Sequence, residues 1–240
     1  RDWSVTGVQT CALPIFERGV DKQAINHLPF NDLNNMLDPS TEDVTGRCLE
    51  LMGMLGITAD VPQAAKAVKF IRDKQLKDGC WWGRWGVNFI YGTWSVLRGL
   101  AAVGIGPSDE AVKRASEGIK ARQNPDGGFG ESCASYDNPT STAPFPSTPS
   151  QTAWGLMALQ CCGEATSPAA LRAVQWLLDN QKPDGGYDEH HYTGTGFPGA
   201  FYLGYGGYRY YFPLLALARQ RALTSVVKKR SARQPAAQAT

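Results

Sequence analysis

Four aromatic residues, Phe197, Phe201, Tyr205 and Tyr208, stand at offsets of 0, 4, 8 and 11 in the stretch YTGTGFPGAFYLGYGGYRYYF. That spacing lines them along one face if the segment is helical throughout. Ring faces attract a cation through their quadrupole and offer no lone pair to trap it. Core packing uses the same stripe, and Gly196, Pro198 and Gly199 break a simple helix at its start, so a loop that feeds rings into a central hole is equally open. A second pair lies in STEDVTGR, where Asp43 and Arg47 are spaced for an i,i+4 ion pair and Ser40 with Asp43 fits a capping box. His190 and His191 have no third ligand at metal spacing, so no metal site is expected.

Helices must position these residues. Segments 61–75, 108–123 and 167–181 are amphipathic, the last with Ser167 as N-cap and Pro168 at the first helical position. Segments 43–56, 92–104, 149–162 and about 204–219 are more uniformly apolar. Apolarity all round implies burial on both sides, so these are expected to be inner helices and the amphipathic ones outer. Each amphipathic segment stops at a glutamine that opens a copy of one repeat: QLKDGCWWG at 75–83, QNPDGGFGE at 123–131 and QKPDGGYDE at 181–189. The first glycine of the turn, Gly127 or Gly185, suits the left-handed end of a helix, and Pro125 and Pro183 stop its continuation. Gln75, Gln123 and Gln181 are expected to bond exposed backbone at helix ends while Trp81, Phe129 and Tyr187 pack over the turn. Those six residues are read as structural staples between helix pairs. The fold class is all-α, an alternating inner and outer α/α barrel with about seven helices, fewer than six closed pairs require.

Composition excludes other classes. The 24 basic residues nearly balance the 22 acidic ones, which argues against a nucleic-acid partner. No apolar run reaches the roughly 18 residues of a membrane-spanning helix, though monotopic attachment stays open. The six cysteines lack C-x-x-C spacing and point to reduced thiols in a cytosolic compartment. Residues 5–15, VTGVQTCALPI, match the translation of a sequencing adaptor, so residues 1–15 are set aside as an assembly scar and the part upstream of Phe16 is expected to be lost. Residues 131–151 form a long Pro/Ser/Thr connection, with Thr148 and Pro149 starting the next inner helix. Residues 222–240 are read as a polar, disordered tail.

The repeat resembles the QW motif of the triterpene cyclases. The stretches DGCWWGRWGVNFIYGTW (78–94), STPSQTAWGLMAL (147–159) and YTGTGFPGAFYLGYGGYRYYFPLLAL (192–217) resemble the squalene-hopene cyclase branch, over residues 16–221. The resemblance implies part of an α6/α6 toroid, a protonation-started cyclisation of squalene to hopene or hopanol, and no cofactor. It places the cavity rings on Trp85, Phe197, Phe201, Tyr205 and Tyr208, with Leu203 as apolar wall. In this family the proton donor is the middle Asp of a D-x-D-D motif, which occurs nowhere in this sequence. The resemblance puts Asp43, Arg47 and Tyr91 in support of that acid, and it makes the chain a C-terminal fragment expected to be inactive by itself. It further implies a monotopic position on the cytoplasmic face of a bacterial-type membrane, with a homodimer as one assembly. Two alternatives stay open: a cyclase for another linear polyprenoid, and a non-catalytic α/α-repeat module that binds protein or lipid.

Overall fold

The computed structural model describes residues 40–138 and 145–231. The adaptor-like stretch, the expected start at Phe16 and residues 232–240 lie outside the described residues. Among the described residues seven α-helices follow in order: α1 (Glu42–Met54), α2 (Pro62–Lys74), α3 (Phe89–Ala102), α4 (Glu110–Ala121), α5 (Pro149–Cys161), α6 (Pro168–Asp179) and α7 (Tyr208–Ser231). Helices α1, α3, α5 and α7 pack side by side as an inner arc, and α2, α4 and α6 lie outside it. The inner and outer assignment follows the pattern of the sequence. All 13 residues of α5 are buried, whereas α6 buries only Ala169, Ala170, Ala173 and Leu177.

Local signals start the helices where expected. The Ser167 side chain accepts from the Ala170 amide, and Thr148 accepts from the Gln151 amide ahead of Pro149. The inner arc closes tightly because glycines face one another across α1 and α3. A Cβ on Gly99 would lie 2.3 Å from the Gly46 carbonyl oxygen, and one on Gly46 would lie 2.5 Å from that of Ser95. Two helix backbones touch there, with no side chain between them.

The three repeat copies form near-identical turns. In each, the Asp side chain accepts a backbone N–H two residues on: Asp78 from Cys80 at 3.0 Å, Asp126 from Gly128 and Asp184 from Gly186, both at 2.9 Å. Gly79, Gly127 and Gly185 sit at φ 88°, 89° and 83°, where a Cβ would be strained. Gln75 donates to Gly79 O within its own turn and to Ala111 O at the start of α4, both at 2.8 Å. Gln123 repeats this with Gly127 O and Ala169 O at the start of α6, again at 2.8 Å. The glutamine therefore ties each turn to the next outer helix. Gln181 makes the turn bond to Gly185 O at 2.9 Å, and among the described residues no further outer helix follows it. Trp81 and Phe129 are fully buried, and the Trp81 indole donates to Ile71 O in the last turns of α2 at 2.8 Å.

Two elements depart from the sequence expectation. Residues 194–203 form an antiparallel hairpin, β1 (Gly194–Phe197) with β2 (Phe201–Leu203), so the aromatic offsets do not describe a helical face. Gly194, Gly196, Pro198 and Gly199 disfavour helix, and Gly199 takes φ 77° between the strands. At the other end, α7 continues through Arg221 to Ser231, so the expected tail boundary falls within a helix.

Candidate active site

The inner ends of α1 and α3, the 83–88 loop and the 194–205 hairpin converge on one face. Asp43, in the first turn of α1, is only 1% exposed. Its Oδ2 accepts the backbone N–H groups of Arg84 and Trp85, both at 2.9 Å, and its Oδ1 accepts that of Val44 at 2.9 Å. The local reading of this residue is therefore corrected. The N-cap of α1 is Thr41, with no side-chain cap bond, and Asp43 is turned across to the loop rather than to Arg47. Had it capped its own helix, two buried loop amides would have lost their acceptor. Burial raises the Asp43 carboxyl above the ordinary carboxylate range, against the pull of the Trp85, Val44 and Arg84 amides.

Arg47 instead pairs with Glu50 at 2.8 Å and stands over the Trp94 ring, 4.1 Å from its centroid. Glu50 is also held by Arg98. A second carboxylate and a ring thus take the guanidinium that spacing had assigned to Asp43. Tyr91 nevertheless feels the charge of both. Its hydroxyl is pushed up to about 12, first by burial and then by the charge of Asp43, with Arg47 opposing. The structure gathers Asp43, Arg47 and Tyr91 in one neighbourhood without joining Asp43 to Arg47 as a pair.

The ring residues divide into two connected groups. Tyr91 meets Trp154 edge-on at 4.9 Å, Trp154 meets Tyr208 at 5.9 Å, and Tyr208 stacks on Tyr205 at 4.7 Å. Trp94 and Phe212 fill the space behind them. Phe197 and Phe201 form the other group, edge-on at 5.3 Å. Arg84, 3% exposed, joins that group to Trp85, with its guanidinium 4.3 Å from the Trp85 centroid and 5.6 Å from that of Phe197. It also donates to Gly196 O at 2.8 Å. Leu203 ends β2, half-buried.

Rings lie on bare backbone here. A Cβ on Gly194 would meet the Tyr205 ring at 2.4 Å, and one on Gly196 the Phe201 ring at 2.1 Å. Trp85, Phe201 and Tyr205 stay 41%, 44% and 43% exposed. The backbone beneath them is fixed. Val87 N donates to Thr193 O at 3.0 Å, Gly86 bridges Gly194, and the Tyr136 hydroxyl donates to Gly86 O at 2.8 Å and to Gly83 O at 2.5 Å. Half-exposed rings on a hydrogen-bonded floor can present a fixed aromatic surface to an apolar or cationic guest. Sequence reasoning missed Arg84, Trp94, Trp154 and Tyr136 as parts of this floor. The only signal for Arg84 was its place inside GRWG; Tyr136 had none.

Among the described residues no group of three or more His, Cys, Asp or Glu side chains could hold a metal ion. No described helix is long and apolar enough to cross a membrane. Among the described residues, Cys80, Cys133, Cys161 and Cys162 are in no disulfide.

Comparisons with known proteins give the family context. The model of the squalene-hopene cyclase C-terminal domain matches residues 3–222, a span that includes the adaptor-like stretch. The chain is 47% identical over 201 residues to a squalene–hopene cyclase of Bradyrhizobium diazoefficiens, covering 83% of this chain and 30% of that protein. It is 50% identical over 196 residues to that of Alicyclobacillus acidocaldarius, covering 82% and 31%. The chain thus spans about 30% of the length of the curated relatives it matches. Among solved structures, ent-copalyl diphosphate synthase from Streptomyces platensis matches with a TM-score of 0.53 at 20% identity, covering 78% of this chain and 33% of that one. A type II terpene cyclase variant from Scytonema in complex with merosterolic acid A matches at 0.51 and 19% identity, covering 86% and 60%. These two speak for the fold, the terpene cyclase α/α architecture.

Proposed function

The chain belongs to the squalene-hopene cyclase family, and on that premise we propose that its hairpin and inner helices form one wall of the cavity in which a linear polyprenoid, squalene by preference, is cyclised to hopene or hopanol. The observation that carries the reading is the fixed aromatic surface, where Trp85, Phe201 and Tyr205 stay half-exposed above hydrogen-bonded backbone. Oxidised or redox chemistry is not needed for such a reaction. A carbocation that forms at one alkene and moves through successive rings is stabilised by ring faces that cannot add to it. Trp85, Phe197, Phe201, Tyr205 and Tyr208 take that role, with Leu203 as apolar lining.

Asp43, Arg47 and Tyr91 stand where they would support a proton donor contributed from outside this sequence. Asp43, raised by burial, and Arg47, shared between Glu50 and Trp94, set the local field, and Tyr91 connects them to the ring array. Squalene dissolves so poorly that entry from a lipid surface is the physically favoured route, so peripheral attachment to a membrane face belongs to the same proposal.

The test is a chimera. Residues 16–221 replace the matching region of the Alicyclobacillus acidocaldarius cyclase, and products from squalene are analysed. Hopene or hopanol is the expected product, and Trp85→Ala or Phe201→Ala should lower yield or release partly cyclised products. A well-folded chimera that forms no cyclised product overturns the reading.

A further inference from the structure

The three repeats differ at their ninth letter, Gly83, Glu131 and Glu189, and the structure gives that difference a meaning. Glu131 ends the second copy, yet its Oε2 reaches back to α3, the inner helix of the first. There it accepts the amides of Asn88 at 3.1 Å and Ile90 at 2.8 Å. Glu189 ends the third copy and reaches back to α5, the inner helix of the second. It accepts the Ser150 amide at 3.2 Å and the Ser150 hydroxyl at 2.7 Å. Each carboxylate satisfies N–H groups that a helix start leaves without partners, so it is a cap supplied by the following repeat. Neither α3 nor its N-cap Asn88 supplies a cap bond of its own.

The first copy has no side chain at Gly83, and none would fit. A Cβ there would lie 2.5 Å from the Asn88 carbonyl oxygen and 2.7 Å from that of Gly86. The matching junction, between the first turn and the inner helix α1 before it, is made from the other side. Asp43 of α1 carries the carboxylate, and the amides of Arg84 and Trp85, in the loop that follows the turn, are the donors.

We propose that Glu131 and Glu189 are positioning residues, each a carboxylate carried by one repeat that fastens the first turn of the inner helix in the repeat before it, and that Asp43 performs the same fastening with donor and acceptor exchanged. The inversion leaves the loop amides after the first turn held by α1, so the Trp85 ring is carried on a clamped loop. Glu131 clamps the other end of that loop at Asn88 and Ile90, next to Tyr91. The fastenings stand on hydrogen-bond geometry alone; what they position, the ring surface and Tyr91, rests on the cyclase reading.

Amide hydrogen exchange on the full 240-residue chain tests the fastening without any need for turnover. Glu131→Ala should speed exchange at Asn88 and Ile90 about tenfold or more and leave Ser150 protected; Glu189→Ala should do the reverse, and Asp43→Ala should act at Arg84 and Trp85. Glu131→Gln keeps an oxygen acceptor at full length and should restore most of the protection, whereas Glu131→Asp is a methylene short and should not. This second pair carries the test if the alanine variant does not fold. Uniform acceleration across the chain, unchanged exchange at Asn88 and Ile90, or equal behaviour of Gln and Asp would overturn the proposal. In the chimera, Glu131→Ala should cut product about tenfold with rescue by Glu131→Gln. Local deprotection with undiminished product would overturn the positioning role, while absence of product from the unsubstituted chimera would count against the cyclase reading and leave the exchange result standing.

Discussion

The repeat turns and the hairpin wall are built from the same parts, glycines, an aromatic ring and a polar side chain that pins backbone, and they use them in opposite ways. In the turns, glycine supplies a left-handed φ and the ring goes inward, with Trp81 and Phe129 at 0% exposure. In the wall, Gly194 and Gly196 supply a flat seat, and the rings on them stay more than 40% exposed. One region uses its rings to hold helices together. The other uses backbone to hold its rings out.

The largest effect that could break this contrast is a pair of ring deletions. Trp81→Ala removes a fully buried indole and its bond to Ile71 O, and should cost about 3–5 kcal/mol of stability in denaturant unfolding. Trp85→Ala removes a ring that is 41% exposed and should cost less than about 1.5 kcal/mol. The order should invert when product from the chimera is measured. Equal stability losses would mean that Trp85 is core, and the contrast would fail.

The two regions also differ in how far the sequence discloses them. The turns were legible because everything that makes them lies within nine letters and recurs: the glutamine, the Asp that accepts two residues on, and the glycine. Even the long bond from Gln123 to Ala169 follows from a helix starting at Ser167, which the sequence signals. The wall was not legible in this way. A hairpin stands where the offsets alone would allow a helical stripe, because β1 finds its second partner at 85–87, with Gly86 bridging Gly194. The local spacing around Asp43 misleads for the same reason. Its i,i+4 neighbour is visible in sequence, but the amides it binds lie 41 and 42 residues away. Family resemblance grouped Asp43, Arg47 and Tyr91, which the structure sets near one another, yet neither resemblance nor spacing foretold Arg84 between Trp85 and Phe197.

Glycine substitutions sharpen the contrast at intermediate size. Gly79→Ala puts a Cβ at φ 88° and 2.2 Å from the Arg114 carbonyl oxygen, so backbone must move. A loss of about 2–4 kcal/mol is expected from the combined strain and overpacking. Gly196→Ala meets the outer edge of the Phe201 ring first, at 2.1 Å. A half-exposed ring can swing aside, so stability should fall by less than about 1 kcal/mol while Phe201 leaves its seat. The chimera should then show an altered product pattern with little change in its unfolding midpoint. Loss of folding in Gly196→Ala would show that this glycine belongs with those of the turns.

The smallest effect is one of sign, and it separates the regions by pH. Asp78 in the first turn is partly buried, but the Cys80 amide and Arg122 more than offset its desolvation, and its carboxyl is lowered. A lowered carboxyl contributes stability above its unfolded value of about 3.9, and that contribution is lost as pH falls through the folded value. Asp43 is raised, with desolvation dominant. Its contribution is present below about 3.9 and is lost as pH rises through the folded value, because the folded state then holds a charge it solvates poorly. The native protein's advantage over Asp78→Asn should therefore grow between pH 3 and 7, and its advantage over Asp43→Asn should shrink across the same window. Melting temperatures of the three proteins at matched pH measure both slopes. Slopes of equal sign would show that the Asp43 carboxylate is better solvated by the Arg84 and Trp85 amides than its burial implies, and the wall would then be held by a charge as comfortable as the one in the turn.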